Sequence, residues 1–223
     1  MFRSLLPVTA AVLAAGAAFT VGSRSAPPAA VSVPVPELAV RLAPVTTVDT
    51  AVFAGGCFWG IEAVFEHIKG VQSAVSGYTG GTTASPSYED VSSGTTGHAE
   101  SVRVVYDPSV VSYGQLLQVF FSVAHDPTEL NRQGPDHGTQ YRSAIFYRTK
   151  EQQQAAQSYV RQLTAAKTFA KPIVTQIVPL GAFYPAEDYH QDYMAHHPTQ
   201  PYIVYNDAPK VEHLKSEFPQ LYR

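Results

Sequence analysis

Cys57 carries the most reactive side chain in this sequence. It stands in Gly55-Gly56-Cys57-Phe58-Trp59-Gly60, after an apolar stretch and at the opening of a segment with helical periodicity. A thiol at a helix N-terminus meets free backbone N–H groups and the positive end of the dipole, both of which favour thiolate. Phe58 and Trp59 set an apolar wall beside the sulfur. The chain has 1 cysteine, so no internal disulfide can form. A buried cysteine more commonly serves as a small hydrophobe, and the residues around it must decide between the two roles.

Glu100 closes the run Gly97-His98-Ala99-Glu100, between a polar loop and a strand. In a desolvated site its pKa would rise, and a protonated carboxyl there could donate a proton. The commoner fate of a glutamate at a strand end is plain solvation. Tyr78, Tyr88 and Tyr141 lie in loop segments, where an O–H can donate to a polar oxygen while the ring walls a pocket. Taken singly, each is better explained by packing. His190, His196 and His197 fall close together, and His98 shares a strand face with Glu100. A zinc centre needs about three converging ligands with suitable spacing. No such spacing is present, so no metal is expected.

The elements that must position these groups are read from periodicity. Residues 50–54 form a short buried strand. Ile61, Val64, Phe65 and Ile68 recur on one helical face that ends near Lys69-Gly70. Residues 71–76 form a strand, and 77–97, rich in Gly, Ser, Thr and Tyr, a long functional loop. Residues 101–106 alternate as a strand that stops at Asp107-Pro108. Ser112 caps a helix whose apolar face runs from Tyr113 to Ala124, broken by Asp126-Pro127. A second polar loop covers 126–140. Then come a strand at 143–147, a helix at 150–167, a strand at 173–178 and a short helix at 186–196. From Gln200 onward the chain is read as wrapping the surface. This order is the split βαβ (ferredoxin-like) pattern of an α+β two-layer sandwich, with long wrapping loops and a C-terminal tail.

Residues 1–25 read as a secretory signal peptide: a positive start, a short apolar run, then small residues. Residues 26–44 read as a flexible linker rich in Ser, Ala, Pro and Val, and 45–223 as one domain. An uncleaved anchor is the alternative; the apolar run is short for a full span. No cysteine follows that run, which excludes a lipoprotein anchor. These features place the protein outside the cytoplasm, in a bacterial periplasm, where a lone cysteine is a candidate reactive thiol. Net charge is -3, with no basic stripe, so nucleic-acid binding has no electrostatic support.

Several blocks, in order, resemble the peptide methionine sulfoxide reductase A family. They are Gly55-Gly56-Cys57-Phe58-Trp59-Gly60, Gly77-Tyr78-Thr79-Gly80-Gly81, Gly97-His98-Ala99-Glu100, His125-Asp126-Pro127-Thr128, Gly138-Thr139-Gln140-Tyr141-Arg142-Ser143 and Phe183-Tyr184-Pro185-Ala186-Glu187-Asp188-Tyr189-His190-Gln191. The resemblance implies reduction of the S epimer of methionine sulfoxide, free or in proteins, and so repair of oxidised proteins. It implies Cys57 as nucleophile and Glu100 as the acid that protonates the sulfoxide oxygen. Tyr88 and Tyr141 would bond that oxygen, Phe58 and Trp59 would hold the S-methyl group, and Asp136 would lie in the substrate-binding region. Cys57 would become a sulfenic acid. No bound cofactor is implied, and family precedent leans to a monomer.

The chain departs from many relatives in having no further cysteine to resolve the sulfenic acid: residues 200–207 hold none, and position 92 is Ser92. The expected reductant is therefore an external thiol, either a thioredoxin-like protein or a glutathione-like small molecule. Two other classes remain at this point. A cysteine hydrolase would need a histidine base, from His98, His125 or His190. A non-catalytic exported binding module would tolerate Cys57→Ser with full function.

Overall fold

The computed structural model describes residues 31–37 and 48–223. The signal-peptide reading of residues 1–25 lies outside these. The strands are β1 (Asp49–Ala54), β2 (Val71–Thr79), β3 (Ala99–Tyr106), β4 (Arg132–Gln133), β5 (Asp136–His137), β6 (Ala144–Tyr147), β7 (Gln176–Pro179) and β8 (Phe183–Pro185). The helices are α1 (Phe58–Glu66), α2 (Tyr88–Ser92), α3 (Tyr113–Val119), α4 (Lys150–Ala165), α5 (Tyr193–His196) and α6 (Ala208–Glu217). Among the described residues, one sheet has the order β7-β6-β1-β3-β2-β8, and β4 pairs with β5 as a separate hairpin.

The inner four strands, β6-β1-β3-β2, are the expected split βαβ core, every neighbour antiparallel. Strand β7 adds in parallel to β6, and β8 adds antiparallel to β2. The alternation of β1 sorts its side chains to two faces. Ala51 and Phe53 point into the large core under the helices, while Val52 and Ala54 join a smaller cluster with Ala99, Ala144 and Phe146. Phe53 anchors the larger core, stacking on Phe65 at 5.0 Å and Phe120 at 4.8 Å between ring centroids.

Local chemistry sets the helix ends. Ser112 and Gln115 form a reciprocal capping box on α3, as the Ser112 cap predicts, and Ser87 with Asp90 do the same for α2. Helix α2 falls inside the segment read as loop. Its five residues are too few for apolar periodicity to register, and only the cap marks it. Helix α3 runs on into a π-helical turn, Phe120–Ala124. The short helix expected over 186–196 is broken into a 3-10 turn, Asp188–His190, and α5, because Asp192 takes φ +52°.

The largest departure is at the C-terminus. The segment read as wrapping the surface holds a π turn, Ile203–Asp207, and α6, which packs on α1. Leu214 is fully buried, and Arg223 N–H bonds the His67 carbonyl at 2.9 Å. Residues 31–37, within the segment read as linker, lie against α3 and α4. Tyr159 Oη donates to the Pro34 carbonyl at 2.7 Å, Gln118 Nε2 to that of Val33 at 3.2 Å, and Val33 is buried.

Candidate active site

Strand β1 ends in Gly55-Gly56, and Cys57 is the N-cap of α1. Gly56 has φ +100°, and a Cβ there would lie 2.6 Å from Gln133, so the turn that delivers the cysteine demands glycine. The thiol is 8% exposed. The backbone N–H of Trp59 faces it and lowers its pKa, as a helix start should. Burial outweighs that help and pushes the thiol well above its ordinary range, with the carboxyls of Asp207, Glu100 and Asp136 adding to the effect. Cys57 therefore rests as a thiol, burial overriding the pull of the helix terminus toward thiolate. The carboxyls that act on it come from distant segments, and the nearby Glu62 is engaged elsewhere. Glu62 accepts the backbone N–H groups of Ser76 and Asp192 at 3.1 and 3.2 Å.

Glu100 sits on β3 opposite Tyr78 of β2. It is 2% exposed, and its Oε2 accepts the Phe58 backbone N–H at 3.1 Å. Burial lifts its pKa to about 8, against that hydrogen bond and aided by Asp136 and Asp207. At neutral pH it is predominantly a carboxylic acid, as the sequence suggested a desolvated glutamate would be. The α2 cap places Tyr88 at the first helical position, and a 3-10 turn, Thr139–Tyr141, places Tyr141. Burial raises the pKa of both phenols, so both keep their O–H donors. The β4–β5 hairpin presents Asp136, which accepts a short hydrogen bond from Tyr202 Oη.

The seven residues to which the resemblance assigns roles come together. Cys57, Phe58, Trp59, Tyr88, Glu100, Asp136 and Tyr141 line one pocket of about 270 Å³, with Gln200 and Tyr202 completing its wall. That volume is on the scale of one side chain, below the ~300–1,000 Å³ of typical small-molecule sites. Trp59 is clamped: Tyr193 stacks on it at 3.8 Å, and its indole N–H bonds His190 Nδ1 at 3.1 Å. Tyr78 is not on the pocket wall. Its ring backs Phe58 at 5.8 Å, and its O–H donates to Glu187 at 2.9 Å.

Sequence reasoning missed Gln200, Tyr202 and the buried pair Asp207–Lys210, joined at 3.1 Å. The aromatic residues of Pro201-Tyr202-Ile203-Val204-Tyr205 among polar neighbours, followed by Pro209 in the first turn of α6, were the available signal. The histidines proposed as hydrolase bases are engaged elsewhere. His98 bonds the backbone of Gly81 and Thr83, His125 bonds the Phe120 carbonyl and Ser143, and His190 holds Trp59. Burial lowers His125 to about 4, so it is neutral. Among the described residues, no group of three or more His, Cys, Asp or Glu side chains is arranged to hold a metal ion.

A buried cysteine facing a neutral carboxylic acid and two phenols, in an aromatic-walled pocket, defines a thiol-based oxidoreductase site better than a hydrolase. A family model described as peptide methionine sulfoxide reductase matches residues 49–221. The chain is 63% identical over 174 residues to peptide methionine sulfoxide reductase MsrA 2 of Mesorhizobium japonicum, covering 78% of this chain and 89% of that protein. A protein of the same name from Synechocystis is 51% identical, with 82% of this chain and 88% of that protein covered. Among solved structures, Mxr1 from Saccharomyces cerevisiae in reduced form superposes with TM-score 0.65 at 32% identity, over 74% of this chain and 92% of that one. Methionine sulfoxide reductase A of Corynebacterium diphtheriae gives 0.61 at 36%, over 79% and 88%. The chain belongs to the peptide methionine sulfoxide reductase A family and is an enzyme of that type.

Proposed function

We propose that this enzyme reduces the S epimer of methionine sulfoxide, free or in proteins, with Cys57 as nucleophile and Glu100 as acid. The observation that carries the reading is the convergence of Cys57, Glu100, Tyr88 and Tyr141 on one aromatic-walled pocket of about 270 Å³. The substrate's S-methyl group packs on Phe58 and Trp59, which fixes the face of the sulfur turned toward Cys57 and so the epimer accepted. Asp136, already bonded to Tyr202, holds the remainder of the substrate.

The sulfoxide oxygen carries growing negative charge as Cys57 attacks the sulfur. The O–H groups of Tyr88 and Tyr141 stabilise that charge, and Glu100 delivers a proton to it. The thiol proton of Cys57 replaces the one Glu100 gives up. The sulfur–oxygen bond of the substrate breaks, an oxygen–sulfur bond to Cys57 forms, and the products are methionine and Cys57 sulfenic acid. The substrate gains two electrons and Cys57 loses two.

With 1 cysteine in the chain, an external thiol must reset the enzyme. Its sulfur bonds Cys57 and releases water, and a second thiol then frees Cys57 as the outside disulfide forms. A thioredoxin-like protein or a glutathione-like small thiol fits this role. Oxidised proteins or free methionine sulfoxide are the substrates, no bound cofactor is called for, and the enzyme acts as a monomer. Residues 1–25 act as an export signal and place this repair activity in the periplasm. Each epimer should be offered to the mature enzyme with excess dithiol, beside Cys57→Ser. Loss of the S epimer alone, abolished by the substitution, is the expected result. Equal turnover of both epimers would sink the assignment of the methyl cage, and full activity of Cys57→Ser that of the nucleophile.

A further inference from the structure

His190 is a buried histidine that the reaction above leaves unused. It ends the 3-10 turn Asp188–His190 and is 2% exposed. Its Nδ1 takes the indole N–H of Trp59 at 3.1 Å. An indole nitrogen only donates, so Nδ1 carries no proton and the ring is the neutral tautomer with hydrogen on Nε2. That Nε2 is buried and has no hydrogen-bond partner among the described residues. The imidazole also lies 5.1 Å from the Phe58 ring and 4.4 Å from the Tyr88 ring, so it touches both walls of the methyl cage and one phenol. The turn itself is tied to α2, because Glu187 accepts the Tyr88 backbone N–H at 2.9 Å and its carbonyl takes the His190 N–H at 2.9 Å.

We infer that His190 is the positioning residue of the methyl cage: as a neutral acceptor it locks the Trp59 indole at the width of a methyl group, and protonation of the imidazole releases it. This rests on the reductase reading of the same pocket. An imidazolium would set N–H against N–H and break the bond to Trp59. The charged or titratable groups acting on or touching the ring are Glu187 and Tyr189, at and in its own turn, and Glu89 and Tyr88 on α2; from α1, Phe58 and Trp59 pack against it. Burial lowers the His190 pKa, against the opposing pull of Glu187 and Glu89, so the lock is closed at neutral pH.

The chain has 1 tryptophan, so intrinsic tryptophan emission reports on Trp59 alone. We would compare wild type, His190→Gln, which keeps an acceptor, and His190→Leu, which has none. Each would be assayed on methionine sulfoxide and ethionine sulfoxide with excess dithiol. The leucine variant should lose about tenfold of the preference for methyl over ethyl, the scale one methylene commands in a fitted pocket, and the glutamine variant should regain most of it. Wild-type emission should shift as pH falls, with a midpoint below the ordinary histidine range, and the shift should be missing in His190→Gln. Unchanged methyl preference in the leucine variant, or an acid shift that persists in the glutamine variant, would overturn the inference. If the leucine variant does not fold, the glutamine variant and the wild-type titration decide it. If wild type turns over neither sulfoxide, the reductase reading falls, while the emission titration still tests the bond from His190 to Trp59.

Discussion

At the scale of single residues, the site depends on one carboxyl kept neutral and one thiol kept protonated. Glu100 has a folded pKa of about 8 against an ordinary 4.5, because burial penalises its charge. The folded protein therefore holds a proton that the unfolded chain releases between those values, and stability falls as pH rises through that window. Glu100→Gln should thus raise the melting temperature relative to wild type, with a larger gap at pH 9 than at pH 5; calorimetry at both pH values checks this. The same substitution removes the proton donor and should lower kcat about 10²–10⁴-fold. In the wild type, kcat/KM should decline above about pH 8 as Glu100 ionises. A profile flat to pH 9.5 would contradict the acid role. Tyr141→Phe removes one donor to the developing oxyanion and should cost up to about 10²-fold in kcat, with the fold intact by circular dichroism.

At the scale of elements, short pieces with strong local signals place the reactive groups. Helix α2 is held by the Ser87–Asp90 capping box and by Glu187 on the backbone N–H of Tyr88. Ser87→Ala should cost about 1 kcal/mol of local stability and loosen Tyr88, seen as faster amide exchange over 88–92 and a lower kcat. The packing of α6 on α1 requires glycine at position 60. A Cβ there would lie 2.1 Å from Asp207 Oδ1 and 2.9 Å from Lys210 Nζ. Gly60→Ala should push the Asp207–Lys210 pair apart and destabilise by about 1–3 kcal/mol, the usual cost of overpacking. Denaturant midpoints for Gly60→Ala, with an exposed helix alanine substitution as control, would measure it.

At the scale of the whole molecule, the pocket is an assembly of distant segments. Cys57 comes from the β1–α1 turn, Glu100 from β3, Asp136 from a hairpin, and Tyr202 from the C-terminal region. The chain end is pinned beside α1 by the Lys69 N–H to the Leu221 carbonyl at 2.7 Å and by the Ile68–Tyr222 bridge. The opposite end adds its own clasp. Residues 31–37 satisfy Tyr159 Oη, Gln118 Nε2 and Gln162 Nε2, so a chain beginning at residue 48 leaves those donors to water. It should unfold about 1–3 kcal/mol more easily than one beginning at residue 31, judged by urea denaturation of the two, while kcat stays unchanged because the segment does not line the pocket.

Much of this was legible without the structure. Alternating Val102, Val104 and Tyr106, the helical spacing of Ile61, Val64, Phe65 and Ile68, and the Ser112 cap fixed the core elements, since these signals are local and the core they bury is simple. The motif blocks hold five residues of the pocket wall, Cys57, Phe58, Trp59, Glu100 and Tyr141. Tertiary structure alone decided the charge state of Cys57. A helix start favours thiolate whatever surrounds it, but desolvation and the carboxyls of Asp207, Glu100 and Asp136 arise only when far segments meet. The role of the C-terminal segment was likewise hidden. Leu214 belongs to, and Asp207 immediately precedes, a weakly amphipathic helix whose burial depends on the surface of α1, and no period within the segment encodes a partner so distant in the chain.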